Sequence, residues 1–251
     1  METLITAKNI NKTFGNGPQA FQALNQVSVS IREGEFVSVM GASGSGKSTL
    51  LYALSGMDDI DDGTIRFAGK ELSSCRETER ADLRRTAMGF VFQQPTLLKN
   101  LNILDNIILP AMRSSRKDAG QILKKARRLM QVTGIAGLED RMITQVSGGQ
   151  LQRAGICRAL MSNPQIIFGD EPTGALNSKT AQEIMALLLE INRQGTAVCL
   201  VTHDVRVAAQ SERVLLMQDG RIIDEVKLLK YDGTNLETRV AAISGRMQNL
   251  V

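Results

Sequence analysis

Four short apolar runs punctuate the chain: Glu35–Met40, Ala87–Gln93, Gln165–Phe168 and Ala197–Val201. Their length and continuous hydrophobicity predict strands buried on both faces. Helical periodicity fills the spaces between them. Lys47–Ser55 reads as a helix ended by Gly56, and the period turns helical again from about Ile103 to Val132, with Ile122, Leu123, Leu129 and Met130 as candidate core positions. A third helix follows Ser147, runs through Arg153, Ile156 and Leu160 and stops before Asn163-Pro164. Alternating buried strands and helices predict an α/β architecture around a parallel sheet.

The flanks carry a different pattern. Leu4–Ala7 and Val27–Ile31 alternate apolar and polar residues on either side of Gly15-Asn16-Gly17-Pro18, which predicts antiparallel strands around a turn. The acidic turn Asp58–Gly63 leads into a strand at Thr64–Phe67; its carboxylates lack the spacing of a Ca²⁺ loop and read as solvated. Val214–Met217, Asp219-Gly220 and Arg221–Ile223 predict a hairpin, and beyond Lys227 the pattern weakens into a polar tail with a candidate short helix.

Candidate chemistry concentrates at strand ends. Gly41-Ala42-Ser43-Gly44-Ser45-Gly46-Lys47-Ser48-Thr49 fits the phosphate-loop spacing and sits between a predicted strand and a predicted helix, a context that a Gly/Ser-rich linker lacks. Its glycines let several N–H groups face one anion, and the new helix adds about half a positive charge there. Lys47 would reach the β- and γ-phosphates, Ser48 would ligate Mg²⁺, and Thr49 would serve the α-phosphate side. Asp170 and Glu171 arrive together at the C-terminal end of an apolar strand, on the sheet edge where the loop sits. Asp170 can bond the Mg²⁺ shell and Glu171 can face the γ-phosphate. His203, the one histidine of the sequence, ends the next strand and reads either as a γ-phosphate sensor or as a structural residue. Gln93 emerges where Pro95 forbids continuation of its strand. Ser147-Gly148-Gly149-Gln150 caps a second helix with anion-binding N–H groups, and Phe14 reads either as a base-stacking ring or as core.

Composition narrows the classes. The 251 residues are 43% hydrophobic, enough for one large domain or two small ones, and 30 Lys+Arg against 26 Asp+Glu give +4, too little for a nucleic-acid tail. Cys75, Cys157 and Cys199 lack metal-ligand spacing and read as free buried thiols of a reducing cytosol. No apolar run approaches the length of a membrane span, and the N-terminal residues lack a signal-peptide pattern, so the expectation is a soluble chain reaching a membrane through a partner. Arg113, Arg116, Lys117, Lys124, Lys125, Arg127 and Arg128 cluster around one acid, Asp118, and read as a solvated helix face, an anionic membrane surface or a protein contact.

In the order of these motifs the chain resembles the nucleotide-binding subunit of ATP-binding-cassette transporters, from Phe14 to Gly220. The resemblance implies a P-loop NTPase ABC ATPase fold with a RecA-like core, an antiparallel β-subdomain and an α-helical subdomain. It implies an ATPase domain over 1–225, a helical subdomain at about 94–162 and a short extension at 226–251. In family terms Phe14 looks like the adenine-stacking aromatic, and Ser147 to Gln150 looks like the signature. Gln93 looks like the residue joining Mg²⁺, the attacking water and the membrane partner. Asp170 resembles the Mg²⁺-supporting acid, Glu171 the catalytic base and His203 the switch histidine. The cofactors implied are ATP and Mg²⁺. The implied assembly is a homodimer across two ATP sites, joined to a transmembrane permease at the cytoplasmic side of the membrane, without nucleic acid.

Within the family, Met88–Gln93 with Asp105-Asn106-Ile107 and Leu109-Pro110 is similar to the subfamily serving lipoprotein release, macrolide efflux and bacitracin-type peptide resistance. Gly174-Ala175-Leu176-Asn177-Ser178 looks most like the peptide-resistance branch, and Asn177 departs from the family's usual Asp. The rival classes fit less well. Soluble cassettes acting on ribosomes generally pair two cassettes in one chain, those acting on DNA carry a long coiled coil, and a GTPase or small-molecule kinase would leave Ser147–Gln150 unexplained.

Overall fold

A computed structural model describes residues 2–112 and 118–248. In chain order the elements are β1 (Thr3–Phe14), β2 (Phe21–Arg32), β3 (Phe36–Met40), α1 (Lys47–Leu54), β4 (Asp62–Phe67), β5 (Lys70–Glu71), α2 (Glu77–Ala87), β6 (Met88–Phe92), α3 (Ile103–Met112), α4 (Ala119–Val132), α5 (Gly148–Leu160), β7 (Ile166–Asp170), α6 (Ser178–Arg193), β8 (Ala197–Val201), α7 (Val205–Ala208), β9 (Arg213–Gln218), β10 (Arg221–Lys227) and α8 (Leu236–Gln248). They form two compact units, Met1–Ala81 with Ala197–Val251, and Asp82–Thr196.

The first unit contains an antiparallel sheet in the order β2-β1-β4-β5 and a run of strands in the order β10-β9-β3-β8, where β3 is parallel to both neighbours. The predicted alternation at Leu4–Ala7 and Val27–Ile31 lies at the start of β1 and the end of β2, where Ile5 pairs with Ile31 and Ala7 with Val29, and the two twelve-residue strands run on until Phe14 pairs with Phe21. All five residues of β3 and of β8 are buried, as strands covered on both faces require. Asp219 and Gly220 turn the β9–β10 hairpin with φ of 47° and 74°, the left-handed pair that matches strand twist. Glu35, 1% exposed, accepts from Arg213 Nε at 2.7 Å, and Arg213 also donates to the Ser30 carbonyl, so a paired charge fastens β9 to β2 and to the residue preceding β3.

The tail beyond Lys227 is more ordered than its polarity predicts. Ile243 of α8 is buried with Met40, Ala208, Leu216 and Val226, and Arg239 donates to the carbonyls of Ala209, Ser211 and Leu229. Buried Ile243, with Leu236 and Val240 packed beside the same core, and one cation on three helix-end or loop carbonyls hold a helix whose sequence pattern is weak.

In the second unit β6 and β7 are parallel, and α3, α4 and α5 enclose an apolar core of Ile103, Ile107, Ala126, Met130, Ala154 and Cys157. The candidate positions divide: Met130 is fully buried, while Ile122, Leu123 and Leu129 pack partly covered around it. The helical stretch is two helices. Arg113, Arg116 and Lys117 of the basic cluster lie outside the described residues. Helices α2 and α6, which the periodicity above leaves unassigned, start with Glu77 and Glu79 in the first turn and with an Asn177 cap, respectively. Cys157 and Cys199 are buried and their thiols are pushed up to about 12 by desolvation, but Cys75 is only half-buried and donates to the Glu71 carbonyl. No helix among the described residues is long and apolar enough to cross a membrane.

Candidate functional site

The first unit builds the phosphate loop from β3 into α1. Gly44 and Gly46 hold φ of 79° and 97°, and Gly46, the residue before α1, has no side chain with which to cap the helix, so the first turn opens directly onto the loop. The loop is tightly seated. A Cβ on Gly41 would strike the Met217 carbonyl, and one on Gly46 would strike the Ala23 carbonyl; Gly220 donates its N–H to the Ser45 carbonyl at 3.1 Å. Lys47 is 8% exposed and its Nζ donates to the Ala42 carbonyl at 2.7 Å, which folds the ammonium back over the loop. Ser48 and Thr49 follow in the first turn of α1.

Pairing of Val39 with Val201 brings Thr202 and His203 out at the edge where β3 ends in Gly41, so His203 and the loop share one strand edge as the sequence predicts. His203 is exposed there, and the adjacent Asp204 caps α7 by accepting from Arg206 N at 2.7 Å. Phe14 ends β1 opposite Phe21, is 44% exposed, and carries the Lys12 ammonium 5.3 Å from its ring centroid. The core alternative for Phe14 is therefore excluded: the ring is a surface platform.

The second unit brings the carboxylates and the amide together. Phe92 pairs with Asp170, so Gln93 and Glu171 leave two adjacent strand ends in step. Both reach Gly174: a Cβ there would lie 2.9 Å from Gln93 Nε2 and 3.2 Å from Glu171 Oε2. Glu171 itself holds φ of 47°, a left-handed backbone costing about 1–3 kcal/mol for a non-glycine residue and typical of sites where a side chain must be aimed. Asp170 is the partly buried last residue of β7.

Ser147 caps α5 as predicted. Its Oγ accepts from Gln150 N at 3.3 Å and Gln150 Oε1 accepts from Ser147 N at 2.8 Å, a reciprocal capping box. Gly149 packs against Thr180, whose N–H donates to Asn177 Oδ1 at 2.9 Å. Asn177 thus shapes the helix start on which Gly149 rests. In the basic cluster, Lys124, Arg127 and Arg128 are exposed, but Lys125 donates to the Met161 carbonyl at 2.8 Å and to Asn163 Oδ1 at 2.6 Å. Partial burial lowers the Lys125 pKa, and the residue closes the end of α5 rather than presenting charge to solvent.

Three polar residues of α5 escape the sequence reading. Gln152, 1% exposed, donates to the Phe92 and Pro172 carbonyls; Arg153 donates to the Thr133 carbonyl and pairs with Glu183; Arg158 donates to Thr96. A usable signal exists for Gln152, because it stands four residues before Ile156 on the apolar stripe of the helix.

The ABC transporter family profile matches residues 24–174. A macrolide export ATP-binding/permease protein, MacB, of Chlorobaculum tepidum is 42% identical over 224 residues, covering 89% of this chain and 34% of that protein. This chain therefore spans about a third of that relative's length. An uncharacterized ABC transporter ATP-binding protein of Methanocaldococcus jannaschii is 41% identical over 221 residues, covering 88% of this chain and 98% of the other. Among solved structures, the dimeric post-hydrolysis state of the ATP-binding cassette MJ0796 bound to ADP and Pi superposes with a TM-score of 0.84 at 38% identity, covering 91% of this chain and all of that one. A glycine loop packed closely under the Met217 and Ala23 carbonyls, an acid and an amide meeting at a bare glycine, and a helix opened by the Ser147–Gln150 capping box occur here in a chain with those relatives: it belongs to the ABC transporter family, as an ATP-binding cassette with the ABC ATPase fold.

Proposed function

We propose that the chain is the ATP-hydrolysing subunit of a membrane ABC transporter that drives export, extraction or resistance to an antimicrobial peptide or similar amphipathic substrate. The convergence of Gln93 and Glu171 on Gly174 carries the hydrolytic part of this reading. Relatives of the chain, among them the macrolide export ATP-binding/permease protein of Chlorobaculum tepidum, support the export part.

In this proposal the N–H groups of Gly41–Thr49 and the Lys47 ammonium hold the phosphates, Phe14 stacks on the adenine, and His203 hydrogen-bonds the γ-phosphate. Glu171 orients the attacking water and takes its proton, while Gln93 positions that water from the other side. Ser48, Asp170 and Gln93 would hold Mg²⁺. Their hydroxyl, carboxylate and amide oxygens suit a hard cation that keeps waters and phosphate oxygens as its other ligands, and among the described residues no group of three His, Cys, Asp or Glu forms a self-sufficient metal cage. When bound, the ion neutralises phosphate charge.

Two copies would share two ATP molecules, with Ser147–Gln150 of each completing the other's site; the MJ0796 dimer supports this arrangement. The transmembrane permease would be met on the cytoplasmic side through the helical subdomain, and 1–225, 94–162 and 226–251 remain our division of the chain. The separate apolar core of α3, α4 and α5 supports a subdomain at 94–162. Mg-ATP hydrolysis by the purified chain, with identification of the membrane protein that copurifies, tests the assignment; absence of both would overturn it.

Two smaller effects follow from this reading. Reversing Lys124, Arg127 and Arg128 to Glu should weaken activity on anionic membranes at low salt and leave ATP affinity intact, since each surface cation near such a leaflet contributes about 1 kcal/mol. Equal activity in anionic and neutral liposomes for both forms would leave these residues as a solvated helix face.

Asn177→Asp should change the basal ATPase rate or its cooperativity by an amount equivalent to about 0.5–2 kcal/mol. The carboxylate keeps the cap on Thr180 and adds charge at the α6 N-terminus while losing the two amide donors. Superimposable curves of rate against ATP would show that the loop does not read the other protomer.

A further inference from the structure

We propose that Gln152 is a positioning residue that locks the signature helix α5 to the two strand ends carrying Gln93 and Glu171, so that the register of the signature end controls the aim of the hydrolytic pair. The inference rests on the proposed role of that pair. Gln152 Nε2 donates at 2.9 Å to the carbonyl of Phe92, the residue before Gln93, and at 2.8 Å to the carbonyl of Pro172, the residue after Glu171. One amide nitrogen with two hydrogens thus spans both strands, and the side chain is 1% exposed, so water cannot replace either bond.

The same helix holds the far side of Gln93. Arg158 donates to the Thr96 carbonyl at 2.6 Å and to Thr96 Oγ1 at 3.0 Å, and a Cβ on Gly155 would touch Pro95 at 3.8 Å. Residues 92–96 are therefore fastened to α5 before and after the two glutamines, whose side chains are exposed. The N-terminal end of α5 is the Ser147 capping box, one turn from Gln152. A shift of that end moves the Gln152 amide, and the amide moves two carbonyls next to the groups that aim the water. A displacement of about 1 Å at such a pair is enough to cost on the order of a hundredfold in rate.

The test uses the full chain with Gln152→Met, of similar length but without donors, and Gln152→Glu, which sets an acceptor against two carbonyls. Asn192→Ala, at a buried amide that donates to the Thr196 carbonyl, serves as a control for general destabilisation of the same unit. The expected result is a kcat for ATP lowered at least about tenfold in Gln152→Met and further in Gln152→Glu, with KM changed less than about threefold, while Asn192→Ala keeps its kcat. Hydrogen exchange should rise in 92–97 and 170–174 of the Gln152 variants and stay unchanged there in Asn192→Ala. Equal exchange in those segments for wild type and Gln152→Met overturns the lock whatever the hydrolysis result, and so does an unchanged kcat. Glu171→Gln in the same assay reports on the hydrolytic reading separately: if it hydrolyses ATP at the wild-type rate, that reading fails while the exchange data still decide the lock.

Discussion

Glu171→Gln should slow ATP hydrolysis by about 100-fold or more while leaving ATP binding intact, because a positioned base contributes about 10²–10⁴ in rate. The substitution preserves volume and the carbonyl oxygen, so the turn that closes from the Glu171 carbonyl to Gly174 N at 3.0 Å should survive, and with it the left-handed backbone at φ 47°. Stability should then change by no more than about 0.5 kcal/mol, as expected of a change without a cavity, an unpaired buried charge or a backbone defect. With hydrolysis blocked, the two-fold ATP-bound dimer should accumulate. Single-turnover rates separate chemistry from binding, and sizing chromatography with Mg-ATP reports the dimer. A variant that hydrolyses at more than about a tenth of the wild-type rate would remove Glu171 from the role of base.

Gly46→Ala should be among the most damaging single substitutions in the first unit. The backbone there has φ of 97°, which an alanine resists by about 1–3 kcal/mol, and the new methyl would meet the carbonyl of Ala23, a residue only 1% exposed within β2. Overpacking against fixed backbone adds about 1–3 kcal/mol, so the sum is about 2–6 kcal/mol, equivalent to a fall in midpoint of about 4–24 °C for a chain of this size. Relief of the clash must move the loop, whose N–H groups are the phosphate ligands in the proposed function. ATP affinity should fall more than about tenfold, since 1.4 kcal/mol already corresponds to that factor. Gly44→Ala provides the internal comparison, because Gly44 has φ of 79° but open space where a Cβ would stand. It should lose stability by the backbone cost alone, about 1 kcal/mol. Equal losses of stability and affinity in the two variants, measured by thermal unfolding and by titration with a fluorescent nucleotide, would contradict the packing argument.

The pattern of apolar runs, with the glycines and turn residues between them, determined the buried strands, the phosphate loop, the hairpin at Asp219-Gly220 and the Ser147 cap. These are local: each depends on a period, a cap or a positive φ that neighbouring residues specify by themselves. Tertiary structure decided what local chemistry leaves open. Phe14 is exposed because β1 continues to the sheet margin opposite Phe21, which no local pattern states. Lys125 leaves the basic face because the carbonyl of Met161, 36 residues away, needs a donor, and a partly buried ammonium is kept where a carbonyl and an amide oxygen receive it. α8 holds its place through Ile243 and Arg239, whose partners lie on β3, β9 and the residues after α7 and β10. Gln152 has meaning only once two strand ends separated by about eighty residues of chain stand side by side, since a buried amide is satisfied by whatever carbonyls the fold delivers to it.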